Sequence, residues 1–157
     1  MKITEVETGK EHKVAIEPVT NEDYKNITKG KFYFDWKTEK DQNVCKLRLT
    51  DGKTILGLIS FKHDVKEKRV IINLLSVLKG NRGKGKQYDR IAGTLIGFAC
   101  REAQKHYGRD ACVCFIPKTV NKLKEHYIEK YGMIPAGRYY IFLEGLALLK
   151  ILNEYVP

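Results

Sequence analysis

Val77-Leu78-Lys79-Gly80-Asn81-Arg82-Gly83-Lys84-Gly85-Lys86-Gln87 is the stretch on which the reading of this chain turns. Glycines let backbone N–H groups come close to an anion, and the start of a following helix adds its positive dipole end. Arg82, Lys84 and Lys86 place fixed positive charge at the same point, opposed nearby in sequence only by Asp89. On the N-terminal side, Arg69 to Leu78 is almost continuously apolar, as expected of a strand covered on both faces. On the C-terminal side, Ile91, Ala92, Leu95, Ile96, Phe98, Ala99 and Ala103 recur at helical spacing. The pattern predicts a helix from about Asp89 to His106, closed by Gly108. A strand, a basic glycine loop and a helix make an expected phosphate site.

Moving outward, Ala111 to Ile116 reads as a buried strand broken by Pro117, and Asn121 to Tyr131 as a helix ended by Gly132. Arg138 to Leu143 reads as a last strand, and Gly145 opens a terminal helix through Tyr155. Upstream, Val44 to Thr50 alternates with period two and Thr54 to His63 is its partner, with Asp51-Gly52 as the hairpin signal between them. Lys13 to Pro18 reads as the first strand. Thr20 to Asp23 looks like a helix cap, leading into a short helix that Gly30 stops. Phe32, Phe34 and Trp36 share a face if extended; a small core cluster is the favoured reading over a ligand wall. Antiparallel strands come first, then strand–loop–helix–strand–helix–strand. The expectation is an α+β (mixed α/β) fold, a central, mostly antiparallel mixed sheet flanked by helices, in one domain spanning 1–157.

Composition narrows the class. The chain has 157 residues, 43% of them hydrophobic, enough for one ordinary core. No run reaches the roughly 18 apolar residues of a membrane helix. Met1 to Glu7 lacks the apolar core of a secretory leader, and the four cysteines (Cys45, Cys100, Cys112, Cys114) lack CxxC spacing. A cytoplasmic protein with reduced thiols, no membrane partner and no metal is expected, with Cys112 and Cys114 on one face of a strand. The net charge of +10 favours an anionic partner, whether nucleic acid, an acidic membrane or a phosphorylated small molecule. Lysine is spread along the whole chain, so charge alone does not choose.

The loop excludes two nucleotide folds. Gly80 and Gly85-Lys86 have the spacing of a P-loop, but Gln87 stands where Ser or Thr would hold Mg²⁺. After Gly83-Lys84-Gly85, the third glycine of a dinucleotide fingerprint would fall on Tyr88. A basic turn without a ligand is the plain alternative.

The segment Val77 to Gly85, followed by an amphipathic helix, resembles the acetyl-CoA loop of the GNAT (GCN5-related) N-acetyltransferase superfamily. Arg82-Gly83-Lys84-Gly85 matches the R-G-K-G form of that family's Q/R-x-x-G-x-G/A motif. Asn121 and His126-Tyr127-Ile128-Glu129-Lys130-Tyr131-Gly132-Met133 resemble its N…(F/L)-Y-E-K-x-G-F helix end. The resemblance spans roughly Thr54 to Phe142. Three positions depart from the pattern: Gln87 replaces a small residue, Tyr127 lies five residues before Gly132 rather than four, and Asn73 stands where several members carry a catalytic Glu.

The resemblance implies acetyl-CoA as cosubstrate, with the backbone from Arg82, Gly83, Lys84, Gly85 and Lys86 on its pyrophosphate. Leu75, Ser76 and Val77 would pair with the pantetheine amides, an N–H near Val77 would polarise the thioester, and Asn121 would add a cofactor contact. An amine would attack directly. Tyr127 would protonate the leaving thiolate, with Tyr131 as the fallback and core packing as the equal alternative. Asn73 cannot act as a base at neutral pH. Glu144, Glu125, His126, His63 and water all stay open, as does the acceptor: protein N-terminus, lysine, polyamine, aminoglycoside or aminoacyl-tRNA. The competing classes are a non-catalytic basic nucleic-acid-binding module and a CoA-binding pseudoenzyme of the same fold.

Overall fold

The computed structural model describes residues 1–118 and 121–157, with the side chains of Asn121 and Lys122 outside that description. Among the described residues the strands are β1 (Lys2–Glu5), β2 (Glu11–Pro18), β3 (Asn43–Leu49), β4 (Ile55–Asp64), β5 (Arg69–Val77), β6 (Tyr88–Asp89), β7 (Cys112–Phe115), β8 (Ile134–Ala136) and β9 (Tyr140–Glu144). The helices are α1 (Lys29–Phe32), α2 (Ile91–Tyr107), α3 (Asn121–Tyr131) and α4 (Gly145–Tyr155). One sheet runs β6-β1-β2-β3-β4-β5-β7-β9-β8. β5 and β7 pair in parallel, whereas β1/β2, β1/β6, β2/β3, β7/β9 and β8/β9 are antiparallel. This is the mixed, mostly antiparallel α+β sheet that the patterning predicts. No helix among the described residues is long and apolar enough to cross a membrane.

The chain divides into two compact units, residues 1–60 with 75–95, and residues 61–74 with 96–157. In the first, Ile3, Phe32, Trp36, Leu47, Leu58 and Ile59 are fully buried. Gly57 lets α2 approach β4 closely. A Cβ there would lie 2.8 Å from Ile91 Cγ2 and 2.9 Å from Leu95 Cδ1, closer than packed carbons allow. Two ion pairs brace the same unit: Arg48 Nε to Glu17 at 2.7 Å and Lys46 Nζ to Asp23 at 2.7 Å. In the second unit, Val113, Ile141, Leu143, Leu148 and Ile151 form the core around β7, β9 and α4.

Several local expectations change. Thr20 and Asp23 do cap each other, through Asp23 N to Thr20 Oγ1 at 3.3 Å and Thr20 N to Asp23 Oδ2 at 2.8 Å. That box opens only a 3₁₀ turn, Asp23–Lys25. The α-helix starts afresh at Thr28, whose side chain accepts from Lys31 N, and Gly30 lies inside it rather than ending it. Phe32 to Trp36 is not extended. Tyr33 turns the chain at φ 70°, and Phe32 and Trp36 are core residues, with Trp36 Nε1 donating to Phe32 O at 3.3 Å. β5 is buried continuously only over Leu74–Val77, while Arg69, Ile71 and Asn73 are half-buried. Three short strands escape the patterning: β1, β6 and β8. The last carries Pro135, which a sheet tolerates because β8 is an edge.

Candidate functional site

The glycine loop hangs between the end of β5 and the start of α2. Leu75, Ser76 and Val77 are buried, and Ser76 Oγ donates to Phe32 O at 2.8 Å. The parallel register with β7 covers Arg69–Ile72, and β5 runs on to Val77 beyond the stretch paired with β7. Leu78 N donates to Leu56 O and Lys79 N to Lys31 O, which moor the base of the loop. Gly80 (φ 90°) and Gly83 (φ 67°) then take left-handed conformations that a side chain would strain.

One side chain holds the loop shut. Asn81 Oδ1 accepts from Gln87 N and from Tyr88 N, each at 2.9 Å, and its Nδ2 donates to Tyr88 O at 2.9 Å. Arg82 to Lys86 therefore form a closed bulge containing a 3₁₀ turn at Gly83–Gly85. Arg82, Gly83, Lys84 and Gly85 are exposed, and a Cβ on Gly80, Gly83 or Gly85 would meet nothing within 4 Å. The outer face of the bulge is open to a ligand.

The three basic residues differ in their surroundings. The Arg82 guanidinium lies over the Tyr33 ring, 4.1 Å from its centroid, with Lys79 Nζ at 5.5 Å from the same ring. Lys86 Nζ pairs with Asp89 Oδ1 at 2.8 Å, and Lys84 has no ion-pair partner among the described residues. Asp89 Oδ1 also accepts from Arg90 N at 2.8 Å. Two expectations need correction. The helix does not follow the loop directly, because Tyr88–Asp89 first pair with β1 and Arg90 turns at φ 78° before α2 begins at Ile91. Nor is Asp89 the only nearby acid. Glu5 and Glu7, brought in by the β1/β6 pairing, line a groove of about 400 Å³ with Lys84, Gly85, Lys86 and Gln87. Glu5 sits below the usual carboxylate range because the Thr8 hydroxyl, and then His12, bond to it.

In the second unit, Tyr127 is 5% exposed and sits in an aromatic stack. Its ring lies edge-on to Phe115 at 5.1 Å and stacked on Tyr131 at 5.7 Å, and Tyr131 meets Tyr155 at 5.9 Å. Asn121 begins α3, but its side chain lies outside the described residues. Glu125, His126 and Glu144 are exposed and Asn73 is half-buried. His63 Nδ1 is 2.9 Å from the Tyr107 hydroxyl, and burial followed by the neighbouring His106 holds its pKa below the ordinary value. None of the four cysteines is in a disulfide among the described residues. Cys112 and Cys114 do share a face, lining a small cavity with Arg69 and Tyr140, and burial pushes the Cys112 thiol up to about 11. Burial likewise raises the Cys114 thiol, and a neutral thiol is a weaker nucleophile than a thiolate.

No family model matches the sequence, and no curated protein matches it. Solved structures do. A spermidine N-acetyltransferase chimera from Vibrio cholerae and hSSAT is 16% identical with a TM-score of 0.61, covering 89% of this chain and 99% of its own. A putative streptothricin acetyltransferase from Bacillus anthracis, in complex with acetyl coenzyme A, is 13% identical with a TM-score of 0.61, over 85% and 98%. Arabidopsis thaliana Naa50, in complex with a bisubstrate analogue, is 16% identical with a TM-score of 0.57, over 83% and 98%.

The chain has the GNAT fold.

Within the GNAT fold the loop motif expected at Arg82 to Lys86 lies at the end of β5 and ahead of α2, in the chain order the resemblance requires. Two contributors were not singled out from sequence, the Asn81 clip and the Tyr33 ring beneath Arg82. Asn81 had a usable signal, since Asn in a glycine-rich turn commonly bonds nearby backbone. Tyr33 had none, because its partner is 49 residues away in sequence.

Proposed function

We propose that this protein transfers an acyl group, acetyl in the first instance, from acyl-CoA to an amine. The observation that carries the reading is the Asn81-clipped bulge, with an open glycine face and basic flanks, placed on the GNAT fold. Backbone groups of Arg82 to Lys86, with the side chains of Arg82, Lys84 and Lys86, hold the CoA pyrophosphate in this reading. Leu75 to Val77 take the pantetheine amides as an added strand would, and Asn121 contributes from the start of α3. Residues 1–157 act as one acyl-CoA-binding domain. A cytoplasmic location goes with the reading, since four cysteines without CxxC spacing suit a reducing compartment.

The reaction needs no enzyme nucleophile. The neutral amine attacks the thioester carbonyl carbon, forming the C–N bond as the carbonyl electron pair moves to oxygen. A backbone N–H near Val77 stabilises that oxyanion. Collapse breaks the C–S bond, and Tyr127 gives the departing thiolate its proton. The ammonium proton leaves to water or through one of the exposed groups Glu125, His126 and Glu144, and a proton from water restores Tyr127. Similarity to acetyltransferases named for spermidine and streptothricin supports an amine acceptor and does not choose among amines.

The test is a thermal-unfolding scan with acetyl-CoA, CoA, ATP–Mg²⁺ and a short DNA duplex in parallel. Acetyl-CoA at 100 times its Kd should raise the midpoint by about 5–10 °C. The variant Gly85→Glu should keep the parent midpoint, because its side chain enters open space at an ordinary φ, and should lose the CoA shift. A salt-sensitive DNA shift without any CoA shift would overturn the transferase reading in favour of a nucleic-acid-binding module. A CoA shift with no turnover on any amine would leave a CoA-binding pseudoenzyme.

A further inference from the structure

A second cluster of ligating side chains stands apart from the glycine loop in sequence and owes nothing to the acyl-transfer reading. Glu102 and His106 are four residues apart on α2 and so share one face of the helix. His63, near the end of β4, meets them there. One ligand atom from each of the three lies within 4.8 Å of the others, and the two imidazole centroids are 4.4 Å apart. The arrangement pairs two neutral-capable nitrogen donors with one carboxylate.

The second nitrogen of each ring is already assigned. His106 Nδ1 lies 2.8 Å from the Glu102 carbonyl oxygen, which can only accept, so Nδ1 carries the proton and Nε2 the lone pair. His63 Nδ1 bonds to the Tyr107 hydroxyl at 2.9 Å, which again leaves Nε2 for another partner. Phe61 packs edge-on to the His63 ring at 6.1 Å. Histidines that bind metals are oriented in this way, by a hydrogen bond from the nitrogen that does not ligate.

The geometry points to a zinc-type divalent-cation site formed by His63 Nε2, His106 Nε2 and the Glu102 carboxylate, with water completing the coordination. Two imidazoles and one carboxylate suit Zn²⁺ or Co²⁺ and not Mg²⁺ or Ca²⁺, which prefer all-oxygen shells. Zinc–ligand bonds near 2.0–2.1 Å would place neighbouring donors about 3.3 Å apart, so the three side chains close on the ion as it binds. Exposed His106 and half-buried Glu102 have the rotamer freedom for that movement. A bound ion would tie the end of β4 to the last turns of α2.

Untagged, chelator-treated protein titrated with Zn²⁺ by calorimetry, and with Co²⁺ by visible absorbance, tests the site. One ion per chain is expected, with tetrahedral Co²⁺ bands that Zn²⁺ abolishes, and no heat from Mg²⁺. Zinc at 100 times its Kd should raise the unfolding midpoint by about 5–10 °C. His106→Gln, at an exposed position, should fold normally and weaken zinc binding at least tenfold. His63→Gln should do the same, and His12→Gln on β2 should leave the zinc affinity unchanged. Binding below one equivalent at 100 μM zinc, or His106→Gln binding as tightly as the parent, would overturn the assignment.

Discussion

Replacing Asn81 with alanine removes the three hydrogen bonds that close the glycine bulge. Each is 2.9 Å long, two of them accepted from Gln87 N and Tyr88 N and one donated to Tyr88 O, and Asn81 itself is only 8% exposed. A net value of about 1 kcal/mol per bond sets an upper figure of about 3 kcal/mol. Gln87 is exposed and Tyr88 half-buried, so water re-bonds part of what is lost, and about 2 kcal/mol is the working figure. For a chain of this length that lowers the unfolding midpoint by about 4–8 °C. If the same 2 kcal/mol must be restored to re-form the bulge around CoA, the apparent Kd rises about 30-fold. Asn81→Asp keeps the acceptor for both N–H groups and loses only the donor to Tyr88 O, so it should fall between alanine and the parent. Differential scanning fluorimetry gives the first quantity and calorimetry with CoA the second. An unchanged midpoint in Asn81→Ala would refute the clip; a lowered midpoint with unchanged CoA affinity would refute its link to the ligand.

Three further outcomes are expected. Gly57→Ala places a methyl within 2.9 Å of the buried Ile91 and Leu95 side chains, and should cost about 1–3 kcal/mol, read from the urea midpoint. Tyr127→Phe keeps the aromatic stack and removes the proton; it should lower turnover roughly 100-fold with acetyl-CoA affinity almost unchanged, and unchanged turnover would move the acid elsewhere. The Glu17 carboxyl, held below its usual range by the hydrogen bond from Arg48, binds a proton more readily in the unfolded chain. Its stabilisation is therefore fully present above the ordinary value of 4.5 and fades as pH falls through the folded-state value. Arg48→Met should remove that part of the acid sensitivity in a pH-dependent melting series.

The resemblance from Thr54 to Phe142 was legible because its parts are local. Glycines at 80, 83 and 85, the helical repeat from Ile91 to Ala103, and the Tyr127–Gly132 helix end each express a backbone preference within a few residues. Those preferences survive into β5, α2, β7 and α3 with boundaries shifted by a residue or two. Local signals misled where a neighbour competed: the Thr20–Asp23 box looked like a helix start, yet Thr28 supplies the cap that the helix uses.

Folding alone chose the partners. β1 and β6 are too short to show a period, and they are strands because Thr4 and Glu5 meet Asp89 and Tyr88 across more than 80 residues. That pairing brings Glu5 and Glu7 beside a loop whose sequence looks purely basic. Arg82 on Tyr33, Gly57 beneath Ile91 and His63 beside His106 are likewise contacts between residues far apart in the chain. Residue order and spacing specify which backbone conformations are favourable. Which side chains then share a few ångströms, and so what electrostatics and ligation they offer, depends on burial of a common core that no single segment encodes.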